Sequence, residues 1–184
     1  MRFHLPVARL TLVLGIFTVA AGAALTAALP AHAGIADMTC TPPSSTNVSF
    51  SPALTDAPQS VTVTPNTDYG PCVSLGHPSV TSGSADGVAT HTLSCADLLS
   101  SGPVGDTITW NTGQTTSYSG TRVSTIEGAL VVNTVTGTIT SGLFAGDSFV
   151  LIETGPATSI LECELGLGTV SSLNETVALE ITST

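Results

Sequence analysis

The stretch Gly-Ala-Leu-Val-Val-Asn-Thr-Val-Thr-Gly-Thr-Ile-Thr, residues 128–140, contains the longest alternation of apolar and polar residues in the chain. Val131, Val135 and Ile139 recur on one face of this stretch. That period of two, filled with β-branched residues, predicts a β-strand. Shorter runs of the same kind predict further strands over 60–64, 87–95, 106–110, 147–154 and 176–182.

Residues that suit tight turns separate these runs. Asp86-Gly87, Asn111-Thr112-Gly113 and Ser141-Gly142 all tolerate the positive φ angles of hairpin turns. One helical turn is predicted over residues 95–100, and no longer helix is expected. Short strands at near-regular spacing indicate an all-β, antiparallel sandwich or barrel, and we expect the sandwich.

The mature chain is predicted to be a single domain over residues 34–184. Residues 61–184 are expected to form the core of the β-sandwich. Residues 34–60 contain four prolines, which predict an irregular lead-in or an edge strand.

Residues 1–33 have the order of a secretory signal peptide. A short basic head precedes an apolar run over 10–29, and Ala31-His32-Ala33 supplies the small residues of a cleavage site. We expect a secreted, extracellular protein whose exported form begins at Gly34 on N-terminal sequencing. The alternative is an uncleaved anchor, since about 20 apolar residues can span a bilayer.

The charge balance excludes several kinds of partner. The chain has 13 acidic and 3 basic residues, and its net charge is −10. Arg2 and Arg9 leave with the signal peptide, so Arg122 is the only basic residue of 34–184. One arginine cannot neutralise a phosphate backbone, so no nucleic acid is expected as partner. An anionic membrane surface repels so acidic a protein, so no membrane partner is expected after cleavage.

Four cysteines in an oxidising compartment predict two disulfide bonds, although spacing alone allows three pairings. The order Cys95, Trp110, Cys163 resembles an immunoglobulin-like domain, although Leu161 stands where such domains carry the tyrosine of the tyrosine corner. The resemblance implies an immunoglobulin-like sandwich in which a Cys95–Cys163 bond joins the two sheets and Trp110 packs on it.

The other two cysteines, Cys40 and Cys72, would then form a clamp on the N-terminal segment. Two segments that follow Cys95, residues 106–119 and 137–146, resemble small secreted β-rich proteins of actinobacteria whose function is unknown. That resemblance extends over residues 72–184. It implies a fold and a compartment but no activity.

No catalytic residue, cofactor or metal site is predicted. The chain has no Cys-x-x-Cys pair and no Gly-x-Ser-x-Gly motif. His77 precedes Pro78 in a loop and is expected to be exposed, while His91 is expected to be half-buried in a strand. Three weaker alternatives are a glycosidase pair, a calcium site and a sugar platform. The candidate residues of the glycosidase pair are Glu153, Glu162, Glu164 and Glu180. Those of the calcium site are Asp86, Asp97, Asp106 and Asp147. Those of the sugar platform are Trp110 and Tyr118.

These observations predict a non-catalytic extracellular protein that acts through surface binding or envelope association. Its partner would be an unknown extracellular protein or an envelope component. The alternatives are a secreted protease inhibitor that presents the loop 73–84 rigidly, and a hydrolase that uses His77 or His91.

Overall fold

The computed structural model describes residues 36–184, and the predicted signal peptide with its cleavage site lies outside that part of the chain. The described chain has eleven β-strands, a 3₁₀ turn at Cys95–Leu99 and one α-helix. The elements are β1 Ala36–Cys40, β2 Ser45–Leu54, β3 Gln59–Tyr69, β4 Cys72–Val73, β5 Gly83–Asp86, β6 Ala89–Leu93, β7 Gly102–Trp110, β8 Thr115–Glu127, β9 Leu130–Gly142, β10 Ser148–Pro156, α1 Thr158–Glu164 and β11 Val170–Thr182.

The last strand closes the sheet into a barrel. Hydrogen-bonded neighbours run in the order β10, β9, β8, β7, β5, β3, β2 and β11, and β11 then pairs with β10. β11 can serve several neighbours because it is 13 residues long. Its residues 176–182 pair with β10, and its residues 170–176 pair with β2.

The all-β, antiparallel architecture and the two disulfide bonds are confirmed, but the strands are arranged differently from the expected immunoglobulin-like sandwich. Such a sandwich has two separate sheets, whereas here the two ends of an eight-strand order pair with each other. Closure creates one interior. Side chains that alternate inward from all eight strands therefore line a common lumen.

One side of the barrel wall has a gap. β3 pairs with β5 through residues 66–69 and with β6 through residues 59–63. β7 pairs with β5 only at Thr109 and Trp110. In the part of the chain that the structure describes, no pairing joins β6 to β7. The gap therefore lies between β6 and the first part of β7.

Ser45–Leu54 is a strand of the barrel, where the sequence predicted an irregular lead-in or an edge strand. β2 pairs with β3 on one side and with β11 on the other. Pro52 is tolerated because it lies at an irregularity: the pairing with β3 ends at Ser51, and the register with β11 shifts between Ser49 and Leu54. A residue without a backbone N–H fits such a position.

Trp110 is a core residue, but it lies in a different part of the core from the one that the resemblance implied. It is 2% exposed and packs in the cluster that contains Cys40 and Cys72. Cys95 and Cys163 belong to a second cluster. The expected packing of Trp110 on the Cys95–Cys163 bond is wrong, because Trp110 ends the nine-residue strand β7 and the 3₁₀ turn lies near its beginning.

Both disulfide bonds have the expected pairing of cysteines, but one of them joins different secondary-structure elements from those that the immunoglobulin-like resemblance implied. Cys40 and Cys72 face each other on β1 and β4, so their bond does clamp the N-terminal strand. The Cys95–Cys163 bond joins the 3₁₀ turn to α1 instead of joining two sheets.

The helix α1 was not predicted, since no helix beyond the turn over residues 95–100 was expected. Ile160 and Cys163 lie three positions apart and are both buried, which is the spacing of one helix face. In residues 36–184 no helix is long and apolar enough to cross a membrane.

Thr116→Val tests the hydrogen bond that satisfies the indole of Trp110. Trp110 Nε1 donates to Thr116 Oγ1 at 2.7 Å between two buried side chains, and Thr116 Oγ1 donates to the Leu143 carbonyl at 2.9 Å. Valine keeps the shape of the side chain and removes the acceptor. We therefore expect a urea titration to show a loss of about 2 kcal/mol in the free energy of unfolding.

The matched control is Thr115→Val, which changes the same chemistry one position away at an exposed residue. This control should stay within about 0.5 kcal/mol of the parent protein. Equal stabilities for the two variants would show that the hydrogen bond to Trp110 contributes nothing.

Candidate functional site

The lumen of the barrel contains a cavity that is lined by both apolar and charged side chains. Its volume is about 460 Å³. A second chamber of about 260 Å³ shares four lining residues with it, namely Val48, Val63, Arg122 and Glu153. The apolar wall of the first chamber is formed by Val48, Phe50, Val63, Leu93, Leu98 and Leu173.

The charged lining of the cavity follows from the alternation of the strands. Glu153 has the parity of the buried residue Leu151 on β10, and Glu175 has the parity of the buried residue Val177 on β11. Side chains of equal parity point to the same face of a strand. Two acidic side chains are therefore turned into the lumen of the barrel.

A chain of hydrogen bonds holds Glu175 in place. Ser124 Oγ donates to Asn133 Oδ1 at 2.6 Å, and Asn133 Nδ2 donates to Glu175 Oε1 at 3.1 Å. Asn133 and Glu175 are each 6% exposed. The amide of Asn133 thus has both ends occupied, and it fixes the position of one carboxylate oxygen of Glu175.

Arg122 lines both chambers, yet its guanidinium is only partly satisfied. Its Nη2 donates to the Ser100 carbonyl at 3.3 Å, while its Nε is buried and has no hydrogen-bond partner. Within residues 36–184 it forms no ion pair with a carboxylate. A buried donor without a partner costs free energy, so this nitrogen has hydrogen-bonding capacity that the described residues do not use.

Burial makes both lumen carboxylates weaker acids. It raises the pKa of Glu153, and the Asp106 carboxylate adds to that effect while Arg122 opposes it. The pKa of Glu175 is raised to about 7, first by burial and then by the charge of Glu153. Arg122 and the hydrogen bond from Asn133 act against this shift. Near neutral pH the cavity therefore holds a carboxyl that can gain or lose a proton.

Two tyrosines line the smaller chamber. Burial raises the pKa of both Tyr69 and Tyr118 well above the ordinary value for a phenol. Both side chains are therefore neutral at any physiological pH. They offer the lumen hydroxyl groups that can donate or accept a hydrogen bond.

The structure separates the two histidines that the sequence singled out. His91 lies on β6 at the gap in the wall, and it is exposed where the sequence predicted half-burial, because β6 is paired only with β3. His77 is half-buried, with its ring centroid 5.3 Å from that of Phe144, and it does not line the cavity. The two histidines therefore do not share a site.

The other site residues that were proposed from the sequence also lie apart from one another. Glu153 lies in the lumen, whereas Glu162, Glu164 and Glu180 are exposed. Trp110 is buried, so it offers no face to a sugar.

Among the four aspartates considered for calcium, Asp97 binds the backbone and side chain of Ser94. Across the described part of the chain, no three His, Cys, Asp or Glu side chains come together in a way that could hold a metal ion.

Sequence reasoning missed Glu175, Asn133 and the position of Arg122, although a signal for the first two was present. Asn133 alternates with Val131 and Val135 in the stretch 128–140, and Glu175 is in phase with Val177 and Leu179 of the predicted strand 176–182. A polar residue in phase with buried apolar ones on several strands predicts a polar lumen.

Comparisons with known proteins give no further guidance. No family model, no curated protein and no solved structure matches this chain.

Proposed function

We propose that this protein binds a small amphipathic molecule inside its barrel. The observation that supports the proposal best is the cavity itself, which combines an apolar wall with the carboxylates of Glu153 and Glu175 and with Arg122, whose buried Nε has no hydrogen-bond partner. Sites for small molecules are mostly apolar, with a few converging polar groups. Seven of the thirteen residues that line this cavity are apolar and six are polar or charged, so the cavity suits a ligand that has both kinds of surface.

The size of the cavity supports the same function. Its volume of about 460 Å³ falls in the range of ligand pockets, which is roughly 300–1,000 Å³. An apolar cavity of about 150 Å³ can hold a benzene molecule. The lumen therefore has room for a ligand with about three ring-sized groups.

The gap between β6 and β7 supplies an entrance. His91 and Leu93 of β6 line the cavity on one side, and Pro103 of β7 lines it on the other. Asp97 and Leu98 of the 3₁₀ turn complete the rim. A ligand can enter there without breaking a strand pairing.

Binding is favoured over nucleophilic catalysis by a histidine, because neither histidine of the described residues has an assembled partner. A nucleophilic mechanism needs the two groups within hydrogen-bond reach, with a third group that orients the base. Neither His77 nor His91 has such a partner among the hydrogen bonds of residues 36–184.

Secretion is part of the proposal, and the two disulfide bonds support an oxidising compartment.

A second candidate is protease inhibition through the loop 73–84. Leu75 is 80% exposed, and the Cys40–Cys72 bond lies just before the loop. Asn111 braces the loop from outside, since its Oδ1 accepts from the Thr81 N–H and its Nδ2 donates to the Ser79 carbonyl, both at 3.0 Å. An inhibition assay against proteases that cleave after large apolar residues tests this candidate.

Blocking the lumen tests the proposed function. We expect the neutral fluorophore N-phenyl-1-naphthylamine to bind the purified protein saturably, with one site per chain. Leu173→Trp places a large side chain in the apolar wall, and it should weaken that binding at least about tenfold, which corresponds to about 1.4 kcal/mol. A fluorescence titration measures the affinity.

Val123→Trp is the matched control, because Val123 is 49% exposed and lines none of the cavities described here. Val48→Trp provides a second block from another strand, should Leu173→Trp not fold. Unchanged probe affinity in a folded blocking variant would overturn the proposal that the lumen is the binding site.

A further inference from the structure

We propose that the cavity selects ligands that carry a protonated amine, and that Glu153 and Glu175 are the partners of this amine. The inference rests on the proposed function of the lumen and specifies its ligand class. Three observations support it: the charge within the lumen, the unused acceptors of the two carboxylates, and the charge of the whole chain.

The lumen has an excess of negative charge when its carboxyls are ionised. Glu153 and Glu175 then face the single positive charge of Arg122. Buried charge is tolerated when it is paired, and a singly charged ammonium would complete the balance. A carboxylate ligand would instead bring a third negative charge into the same space. The balance therefore favours a cation.

The two carboxylates have acceptor capacity that the protein does not use. The Glu153 carboxylate accepts no hydrogen bond within residues 36–184, and Arg122 and Asp106 act on it through their charges alone. Glu175 accepts one, from Asn133. An ionised carboxylate has about four acceptor positions, and an ammonium group has three donors. The hydrogen-bonding needs of the two partners therefore match.

The net negative charge of the whole protein also favours a cationic ligand. The chain has a net charge of −10, and Arg122 is the only arginine or lysine in residues 36–184. Such a field attracts cations to a cleft and repels anions from it. Asp97, on the rim of the cavity, adds a further carboxylate along the way in.

The body of the ligand is defined by the apolar wall of the cavity. Phe50, Leu93 and Leu173 line the same cavity as the two carboxylates, and Leu173 lies two positions from Glu175 on β11. An amine attached directly to an aromatic or aliphatic body would place its charge against the carboxylates and its apolar surface against that wall. Small inorganic cations lack the apolar part, so they would gain little from the wall.

The test compares three ligands that share one apolar body. We would measure displacement of N-phenyl-1-naphthylamine at pH 8 by 2-(1-naphthyl)ethylamine, 2-(1-naphthyl)ethanol and 1-naphthylacetic acid. The amine should bind at least about tenfold more tightly than the alcohol, because a hydrogen bond between two charged groups is stronger than one from a neutral hydroxyl group. The acid should be the weakest of the three.

Two variants connect this preference with the carboxylates. Glu153→Gln should reduce the ratio of amine to alcohol affinity to about threefold or less, and Glu175→Gln should reduce it as well. Glu180→Gln, a change on an exposed part of β11, should keep the ratio of the parent protein. Either lumen variant can serve if the other fails to fold.

The amine preference should also weaken at low pH. As the pH falls from 8 to 5, Glu175 gains a proton and the partner of the amine is lost. The charged or titratable groups around it are Glu153 on β10, Arg122 on β8, Asp106 on β7, Asp97 in the 3₁₀ turn and His91 on β6. His91→Gln should leave the change with pH in place, which assigns the change to the carboxylates.

The outcomes separate this inference from the function on which it rests. If amine and alcohol bind equally, or if the acid binds most tightly, the amine proposal is overturned while binding in the lumen stands. If none of the three ligands displaces the probe, the amine proposal is likewise overturned. If the blocking variants leave probe binding unchanged, the lumen function fails, and the amine proposal fails with it.

Discussion

Glu175→Gln should make the protein about 3 kcal/mol more stable than the parent at pH 8. The pKa of Glu175 is raised from its ordinary 4.5 to about 7, mainly by burial. Each tenfold change in proton affinity corresponds to about 1.4 kcal/mol, so ionising this buried side chain opposes folding by about 3 kcal/mol. Glutamine cannot ionise, and its oxygen can still accept from Asn133.

The gain in stability should depend on pH in one direction. The folded form of the parent protein binds the proton more tightly than the unfolded form does. The contribution of Glu175 to the stability is therefore complete below about pH 4.5, decreases as the pH rises toward 7, and is lost above that value. The variant lacks this decrease, so the two proteins should have similar stabilities at pH 4 and differ most at pH 8.

Urea titrations of parent and variant at pH 4, 6 and 8 measure this difference. Glu180→Gln removes a carboxylate from the same strand at an exposed position, and its difference from the parent should stay within about 0.5 kcal/mol. A Glu175→Gln protein that is less stable than the parent at pH 8 would contradict the burial of a costly carboxylate at this position.

A carboxylate that opposes folding is easier to understand if it serves a ligand. Strained or destabilised groups concentrate at functional sites, and stabilising changes there often cost function. Glu175→Gln is thus expected to give a more stable protein with a weaker preference for amines. Both changes come from one property, which is that a charged group is held in a poorly solvated lumen.

The strands could be predicted from the sequence because their signal is local. The runs over 128–140 and 176–182 contain the alternation that appears in β9 and β11. Barrel closure could not be predicted in this way. It depends on the pairing of β11 with β10 and β2, and those pairings are decided by long-range geometry that a period of two does not encode.

The helix α1 illustrates the opposite difficulty. Its seven residues are too few for a strong helical period, and tertiary packing of Ile160 and Cys163 decides their conformation.

The polar lumen was missed for a third reason. Glu153 was considered only as one carboxylate of a glycosidase pair and Glu175 was not considered, although both share the parity of buried neighbours on their strands.

Loss of the Cys95–Cys163 bond should reduce both stability and ligand binding. The bond joins residues 68 positions apart, and in the chain-entropy model a loop of that length contributes about 4 kcal/mol. We therefore expect the double variant Cys95→Ala/Cys163→Ala to lose about 4 kcal/mol in free energy of unfolding. Urea titration under non-reducing conditions measures the loss.

The effect on binding follows from the position of the bond. It attaches the 3₁₀ turn to α1, and this turn supplies Asp97 and Leu98 to the rim of the cavity. Without the bond, the turn is held by fewer contacts and the rim becomes less ordered. Probe affinity should fall by about tenfold, measured at a temperature where the variant is folded.

The Cys40–Cys72 disulfide provides a control, because its loss should lower the stability of the protein without lowering its affinity for the probe. Cys40 and Cys72 lie 32 positions apart on β1 and β4, and neither lines the lumen cavity. Cys40→Ala/Cys72→Ala should therefore lose a similar free energy of unfolding, about 3.7 kcal/mol, while its probe affinity stays close to that of the parent. Equal probe affinities in the two double variants would show that the 3₁₀ turn has no part in the entrance. A selective loss in Cys95→Ala/Cys163→Ala would instead tie the entrance to the gap between β6 and β7, since that turn connects these two strands along the chain.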